Sequence, residues 1–503
     1  MKGPAGGAGG EGGGRIALAL VSHTNVGKTT LARTLLARDV GEVRDAPHVT
    51  EFADEHALVR SPAGDTLLLW DTPGFGDSVR LARRLRQSDQ PLGWFLSQVW
   101  DRFTDRAFWS SQQALRTVRE QADVVLYLVN ASESPAAAGY VAPEMELLGW
   151  VGKPVIVLLN QLGAPRPAAD EAAEVERWRR FLADRPVVRA VLPLDAFARC
   201  WVQEGALLAA VEGVLEGDAR QRMAGLRAAW AARRQAQFDA AMGALAASLA
   251  RSAGARQTVA DAGRLRETVR RLGTAVGLAR PSEDPAALAQ QALAAQFDAE
   301  VRASTAELIA LHGLAGRAEG EILARVAAHY ETRLPVDEGK AAVIGGLLSG
   351  ALAGLKADLA TGGLTLGGGL LAGGLLGALG AAGAARAVNL VRGVGSGWVG
   401  WSDEALQAMA EAALLRYLAV AHFGRGRGDW AAGESPPHWR AVVAEALRPQ
   451  RAALAEGWAR AREAGAGGDP AALAAALQPP LAAVARDALA RLYPAAAADN
   501  PLP

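Results

Sequence analysis

The sequence predicts an α/β domain, with a mostly parallel sheet and helices on both faces, followed by a mainly α-helical region containing a Gly-rich hydrophobic hairpin. Three observations lead there. Short Val, Leu and Ile runs alternate with helical stretches from residue 15 to about 200. Strand signals then stop, and Ala, Arg, Glu and Leu dominate from about 205 to 335. Residues 341–385 are rich in Gly, Ala and Leu, with Lys356 and Asp358 as their only charges.

The strands come first. Arg15–Val21, His56–Ser61, Thr66–Trp70, Asp123–Asn130, Pro154–Asn160 and Val187–Leu192 are the candidates. Several are solid apolar runs, as expected of central strands covered on both faces. Strands separated by helices imply parallel pairing. The short gap between the second and third predicts an antiparallel hairpin at one edge.

A chain of 503 residues is enough for two or three domains. The expected segments are a flexible Gly-rich tail (1–14), the α/β domain (15–203), a helical region (204–335), the hydrophobic hairpin (336–400) and a C-terminal helical region (401–503). Lys plus Arg and Asp plus Glu both number 53, so the chain is formally neutral. Nucleic acid is therefore not indicated by charge, and neither is a polybasic membrane anchor. A single cysteine, Cys200, excludes an internal disulfide and any multi-thiolate metal site. The first residues, MKGPAGGAGGEGGG, contain no apolar run of the secretory kind, so a cytoplasmic location is expected.

The first strand runs into Ser22-His23-Thr24-Asn25-Val26-Gly27-Lys28-Thr29-Thr30, and a helical stretch, Leu31–Ala37, follows. This is G-x-x-x-x-G-K-[ST] with Ser22 at the first glycine. The amides of such a loop converge on a phosphate, and the helix dipole adds positive charge. Gly27 permits close backbone approach. Lys28 reaches the β- and γ-phosphates, and the Thr29 hydroxyl ligates magnesium. The third strand ends in Asp71-Thr72-Pro73-Gly74, and Asp71 follows Lys28 by 43 positions. An acid there can hold the magnesium shell, and the Gly74 amide can touch a γ-phosphate and report its loss.

With Asn25-Val26-Gly27-Lys28-Thr29 and Asp71-Thr72-Pro73-Gly74, residues 15–200 resemble the GTPases of the Era/TrmE-like, ribosome-binding-type superfamily. The resemblance implies an α/β P-loop GTPase fold, GTP and Mg2+ as ligands, and a switch that hydrolyses slowly. It implies Thr50 as the first-switch threonine that completes the magnesium shell. It implies a role for Asn25 in binding K+ near the phosphates, where the cation can stand in for an arginine finger. Phe75 occupies the position that often carries a water-orienting glutamine, and it cannot serve.

The family's base-reading motif, N-K-x-D, appears as Asn160-Gln161-Leu162-Gly163. Asn160 can tie the P-loop to the base pocket, and the Gln161 stem can lie over the base. Gly163 has no carboxylate for the guanine edge, which predicts weakened discrimination of GTP from ATP. An ATP-using or broad-specificity P-loop NTPase is the alternative this keeps open. The usual S-A-K is Asp195-Ala196-Phe197, and the Ala196 amide is expected to meet the guanine O6.

Residues 78–115 form an insertion holding Trp94, Phe95, Trp100, Phe103, Phe108 and Trp109. Such clusters are more often core than partner surface. Ala253–Gly254 and Pro436–Pro437 punctuate the helical half, and Asp284–Pro285 is a helix start.

Two glycine ladders, Gly346/Gly350/Gly354 and Gly369/Gly373/Gly377, place small residues along helix faces. Ala341–Leu355 would be about 22 Å of helix and Leu364–Ala385 about 33 Å, against a bilayer core of about 30 Å. A shallow or re-entrant hairpin at the inner membrane face and a buried hairpin in a water-soluble domain both fit. The architecture resembles bacterial GTPases carrying a C-terminal domain of unknown function, with an unidentified protein partner engaged by the helical half. A membrane-associated structural protein with an auxiliary nucleotide site is the remaining alternative.

Overall fold

The computed structural model describes residues 13–36, 54–87, 105–163, 166–196, 200–259, 285–314, 388–392, 397–422, 436–465 and 468–499. Thr50 and the hairpin at 341–385 lie outside the described residues, as do Trp94, Phe95, Trp100 and Phe103. The chain divides into two compact units: residues 1–236 with 422–429 and 493–503, and residues 237–421 with 430–492.

The first unit is built on a six-stranded sheet of order β2-β3-β1-β4-β5-β6. Its strands are β1 (Arg15–Ser22), β2 (Asp54–Arg60), β3 (Thr66–Asp71), β4 (Val124–Asn130), β5 (Val155–Asn160) and β6 (Val188–Pro193). β1 pairs parallel with β3 and β4, and β4–β5 and β5–β6 are parallel as well. β2 pairs antiparallel with β3, the edge hairpin the sequence predicts. The solid apolar strands are the central ones: every residue of Val155–Asn160 is buried, whereas β2, at the edge, buries only Val59.

Helices α1 (Lys28–Leu36), α2 (Ser78–Leu85), α3 (Arg106–Gln121), α4 (Val141–Val151) and α5 (Ala168–Phe181) connect the strands, and α6 (Trp201–Val214) follows β6. Asp77 caps α2 by accepting from the Arg80 amide at 3.0 Å, and Asp105 opens α3 in the same way on Phe108. Phe108 and Trp109 are buried, and Phe108 joins Phe75, Leu81, Leu85 and Tyr127 in one core. These two aromatics of the insertion are thus core residues. Gly14, expected in the flexible tail, is held instead: its amide donates to Asp65 Oδ1 at 2.7 Å and its carbonyl accepts from Thr66.

From β1 the chain crosses to β3 on one side and later to β4 on the other. The carboxyl end of β1 is therefore the topological switch point, where open α/β sheets bind ligands.

A long helix, α7 (Gly217–Gly254), follows α6 and ends at the predicted Ala253–Gly254 break. Near its start Trp230 Nε1 and Arg234 Nη2 both donate to the buried Glu204 of α6, at 3.2 and 2.6 Å. The short terminal helix α13 (Pro494–Asp499) also packs on α6.

The second unit is mainly helical. It contains α8 (Pro285–Leu311), α9 (Asp403–Ala421), α10 (Pro437–Leu447), α11 (Arg451–Ala464) and α12 (Pro470–Leu492). α8 begins at the proline that the sequence marks. The expectation that strands vanish after residue 205 is corrected: β7 (Arg256–Val259), β8 (Val388–Arg392) and β9 (Gly397–Trp401) form an antiparallel sheet of order β7-β9-β8. Tyr417 of α9 meets Phe238 edge-on at 5.8 Å, and Trp401 meets Phe297 at the same distance, so the aromatic core joins helices and sheet. Among the described residues no helix is long and apolar enough to cross a membrane.

Candidate functional site

The loop Ser22–Gly27 leaves the buried strand β1 and enters α1 at Lys28. The first-turn amides of a helix have no intrahelical partners, so the positive end of α1 faces this loop. Gly27 sits at φ +97°, and a Cβ there would stand 2.8 Å from Asn160 Nδ2. Asn25 also adopts a left-handed conformation, at φ +65°. Asparagine tolerates that region better than most residues.

Lys28 is buried, and its Nζ donates to Ser22 Oγ at 3.0 Å. Ser22, which stands at the glycine position of the motif, is thus a partner of the lysine. Burial pulls the Lys28 ammonium pKa down, and the carboxylates of Asp71 and Glu144 oppose that shift. The Thr29 hydroxyl donates to Asp71 Oδ2 at 2.6 Å. Asp71 is buried at the end of β3, and burial raises its carboxyl to about 6 despite the Thr29 bond and the Lys28 charge. Its second oxygen, Oδ1, is buried with no hydrogen-bond partner among the described residues. A hydroxyl and an orphaned carboxylate oxygen at a phosphate-type loop form a hard-oxygen donor set. That set fits magnesium, which is typically held by one or two protein oxygens together with phosphates and water.

The two loops are stitched together. Phe75 N donates to Ser22 O at 2.9 Å and Phe75 O accepts from Thr24 N at 3.2 Å, which continues the parallel pairing of β1 with β3 past the strand ends. Thr72 Oγ1 donates to Leu20 O at 2.6 Å. Gly74 then lies against the P-loop, where a Cβ would stand 3.0 Å from Thr24 Cα and 3.1 Å from Lys28 Nζ. The Phe75 ring is fully buried, in keeping with its unsuitability for holding a water.

Asn160 joins the P-loop to the loop after β6. Its Nδ2 donates to Val26 O at 2.7 Å, and its Oδ1 accepts from Ala196 N at 2.8 Å. The Ala196 amide is therefore engaged by Asn160. Thr34 Oγ1 donates to Ala196 O at 2.9 Å, fixing the same loop from α1. Gln161 adopts φ +59° with its Nε2 3.5 Å from Val26 O. Gly163 has φ +81° and open space around it. A side chain there would meet backbone strain and no clash.

The structure brings Lys28, Thr29, Asp71, Gly74, Asn160 and Ala196 to one end of the sheet; Thr30 is buried in the first turn of α1. Thr50 lies outside the described residues.

The sequence reading misses a polar cluster beside the P-loop. Glu144 of α4 is fully buried; its Oε1 lies 2.8 Å from His23 Nδ1 and its Oε2 accepts from Tyr127 OH at 2.6 Å. The His23 ring stacks on Tyr140, with centroids 4.7 Å apart. The signal in the sequence was a pair of acids, Glu144 and Glu146, inside the otherwise apolar segment VAPEMELLGWV.

Residues 17–161 match the family described as 50S ribosome-binding GTPase, and residues 336–476 match a domain of unknown function, DUF3482. Among solved structures, Era in complex with MgGDPNP and a 16S ribosomal RNA segment is 19% identical, with a TM-score of 0.28, over 36% of this chain and 51% of that one. Aquifex aeolicus Era bound to GDP.AlF4- gives the same figures, 19%, 0.28, 36% and 51%. A structure of chloroplast translocon components is 14% identical, with a TM-score of 0.24, over 37% of this chain and 72% of that one. The chain spans about half the length of the two Era structures, 51% in each. No curated protein matches it.

Proposed function

We propose that this chain, in which a P-loop domain of the 50S ribosome-binding GTPase family precedes a C-terminal domain of unknown function, is a slow GTPase. It works as a nucleotide-dependent switch acting through its helical half. The observation that carries this reading is the pairing of Thr29 Oγ1 with Asp71 Oδ2 at 2.6 Å, beside the buried Lys28. The three groups join the phosphate loop to the end of β3, as a Mg–nucleotide site requires.

In this reading Lys28 presents its charge to the β- and γ-phosphates. Thr29 and Asp71 hold magnesium, which neutralises phosphate charge when bound. The Gly74 amide reports the γ-phosphate, because any movement of Gly74 is passed to Thr24 through the Phe75 backbone pairing. Phe75 leaves the attacking water without a glutamine, so intrinsic hydrolysis is slow. Asn25, exposed on the loop, supports a K+ requirement. Magnesium-dependent GTP turnover by the whole chain, compared in potassium and sodium, tests this. Faster turnover in potassium that Asn25→Ala abolishes supports the assignment; magnesium-independent binding contradicts the site.

Membrane contact through the small-x-x-x-small faces at 341–385 is proposed as one output of the helical half. Wild-type protein pelleting with membranes, released by deletion of 341–385 and by detergent but not by salt, supports that output. Full recovery as a monodisperse soluble species without detergent contradicts it.

A further inference from the structure

The first glycine of the P-loop motif carries no side chain, and in this chain Ser22 puts a hydroxyl there. Ser22 is fully buried at the end of β1. Its carbonyl accepts from Phe75 N at 2.9 Å, so its backbone is held to the segment after β3. A hydroxyl has one proton to donate and lone pairs with which to accept. Ser22 Oγ uses both: it donates to His23 O at 2.5 Å and accepts from Lys28 Nζ at 3.0 Å. With its proton committed to His23 O, the oxygen turns its lone pairs to the ammonium.

The acceptor that sets this direction is itself held in place. His23 Nδ1 lies 2.8 Å from Glu144 Oε1, and the His23 ring stacks on Tyr140 with centroids 4.7 Å apart. Glu144 is fully buried, and its second oxygen takes the Tyr127 hydroxyl at 2.6 Å. A chain of contacts therefore runs from α4 through His23 and Ser22 to the Lys28 ammonium.

On its other side Nζ faces the segment after β3, where a Cβ on Gly74 would stand 3.1 Å from it. An ammonium has three donors. One goes to Ser22, which leaves a pair for the β- and γ-phosphates. A glycine in place of Ser22 would remove this acceptor and leave the long lysine side chain to be ordered by the nucleotide, at a cost in affinity.

We propose that Ser22 is a positioning residue for nucleotide binding, whose hydroxyl holds Lys28 Nζ pre-set for the phosphates. The proposal rests on the GTP reading of the P-loop and adds the residue that pre-organises its lysine.

The test titrates GTP–Mg2+ into the full chain, with the fold of each variant checked by circular dichroism. Ser22→Gly restores the motif's own residue. We expect it nonetheless to lower GTP affinity by about threefold to tenfold, the cost of ordering one long side chain on binding. Ser22→Ala keeps the Cβ, and so separates loss of the hydroxyl from the backbone freedom that a glycine adds. It is expected to lose the same factor. Ser22→Thr keeps the hydroxyl and is expected to bind as the wild type does, a recovery that a role in packing alone would not produce.

A folded Ser22→Gly or Ser22→Ala protein that binds GTP as tightly as the wild type, or more tightly, overturns this inference alone. A Ser22→Thr protein that binds no better than Ser22→Ala does the same. A wild type that binds no nucleotide contradicts both the proposal and the GTP assignment.

Discussion

His23 Nδ1 lies 2.8 Å from Glu144 Oε1, joining the P-loop to helix α4 across 121 positions of sequence. Glu144 is fully buried, and its other oxygen takes the Tyr127 hydroxyl at 2.6 Å. A buried carboxylate tolerates such a place only when its lone pairs are used.

Burial pushes the Glu144 carboxyl above its ordinary value of 4.5, and the His23 and Tyr127 contacts oppose that shift. A group whose folded pKa is raised holds its proton more tightly in the native state. Its effect on stability therefore turns unfavourable as pH rises above 4.5. Glu144→Gln is expected to flatten the fall in denaturant midpoint as pH rises above 4.5. An unchanged slope would show that other groups control it.

Asp71 is ionised at neutral pH against a burial effect that holds its carboxyl at about 6. Asp71→Asn is expected to stabilise the nucleotide-free protein at neutral pH by up to about 3 kcal/mol. The same change should remove the effect of magnesium on GTP affinity. Thermal melting and titration with and without magnesium check the two halves separately.

Asn160 holds two buried backbone groups, Val26 O and Ala196 N, at 2.7 and 2.8 Å. Asn160→Ala leaves the Ala196 amide unpaired and Val26 O with only the 3.5 Å contact from Gln161, and is expected to cost about 1–3 kcal/mol of stability. A loss under about 0.5 kcal/mol in chemical denaturation would mean that water replaces the side chain at no penalty.

Gly74→Ala places a methyl group 3.0 Å from Thr24 Cα, tighter than ordinary packing contacts. The P-loop must shift to accept it, so turnover is expected to fall about tenfold or more. Single-turnover GTP hydrolysis measures this, and a wild-type rate would show that the two loops move independently.

The sheet was legible because buried parallel strands write solid Val, Leu and Ile runs, as in Val155–Asn160. Lys28, Thr29 and Asp71 were legible because phosphate chemistry fixes their spacing. The Ser22–Lys28 bond was not, because a serine at a glycine position reads as a mere substitution. Glu144 was hidden because its partners, His23 and Tyr127, come from other elements and no local pattern links them. The β7–β9 pairing escaped for a similar reason. Arg256–Val259 is four residues long and finds its partner, Gly397–Trp401, only through the tertiary fold.

The central claim is that Lys28 and its neighbours bind the phosphates of GTP. Titration of GTP–Mg2+ into the wild type and Lys28→Ala tests it most directly. The lysine supplies a charge and one bond to Ser22, so the variant should keep its fold, checked by circular dichroism. We expect saturable, magnesium-dependent binding by the wild type and a loss of at least about a hundredfold in the variant. Equal affinity in a folded Lys28→Ala protein would contradict the P-loop assignment.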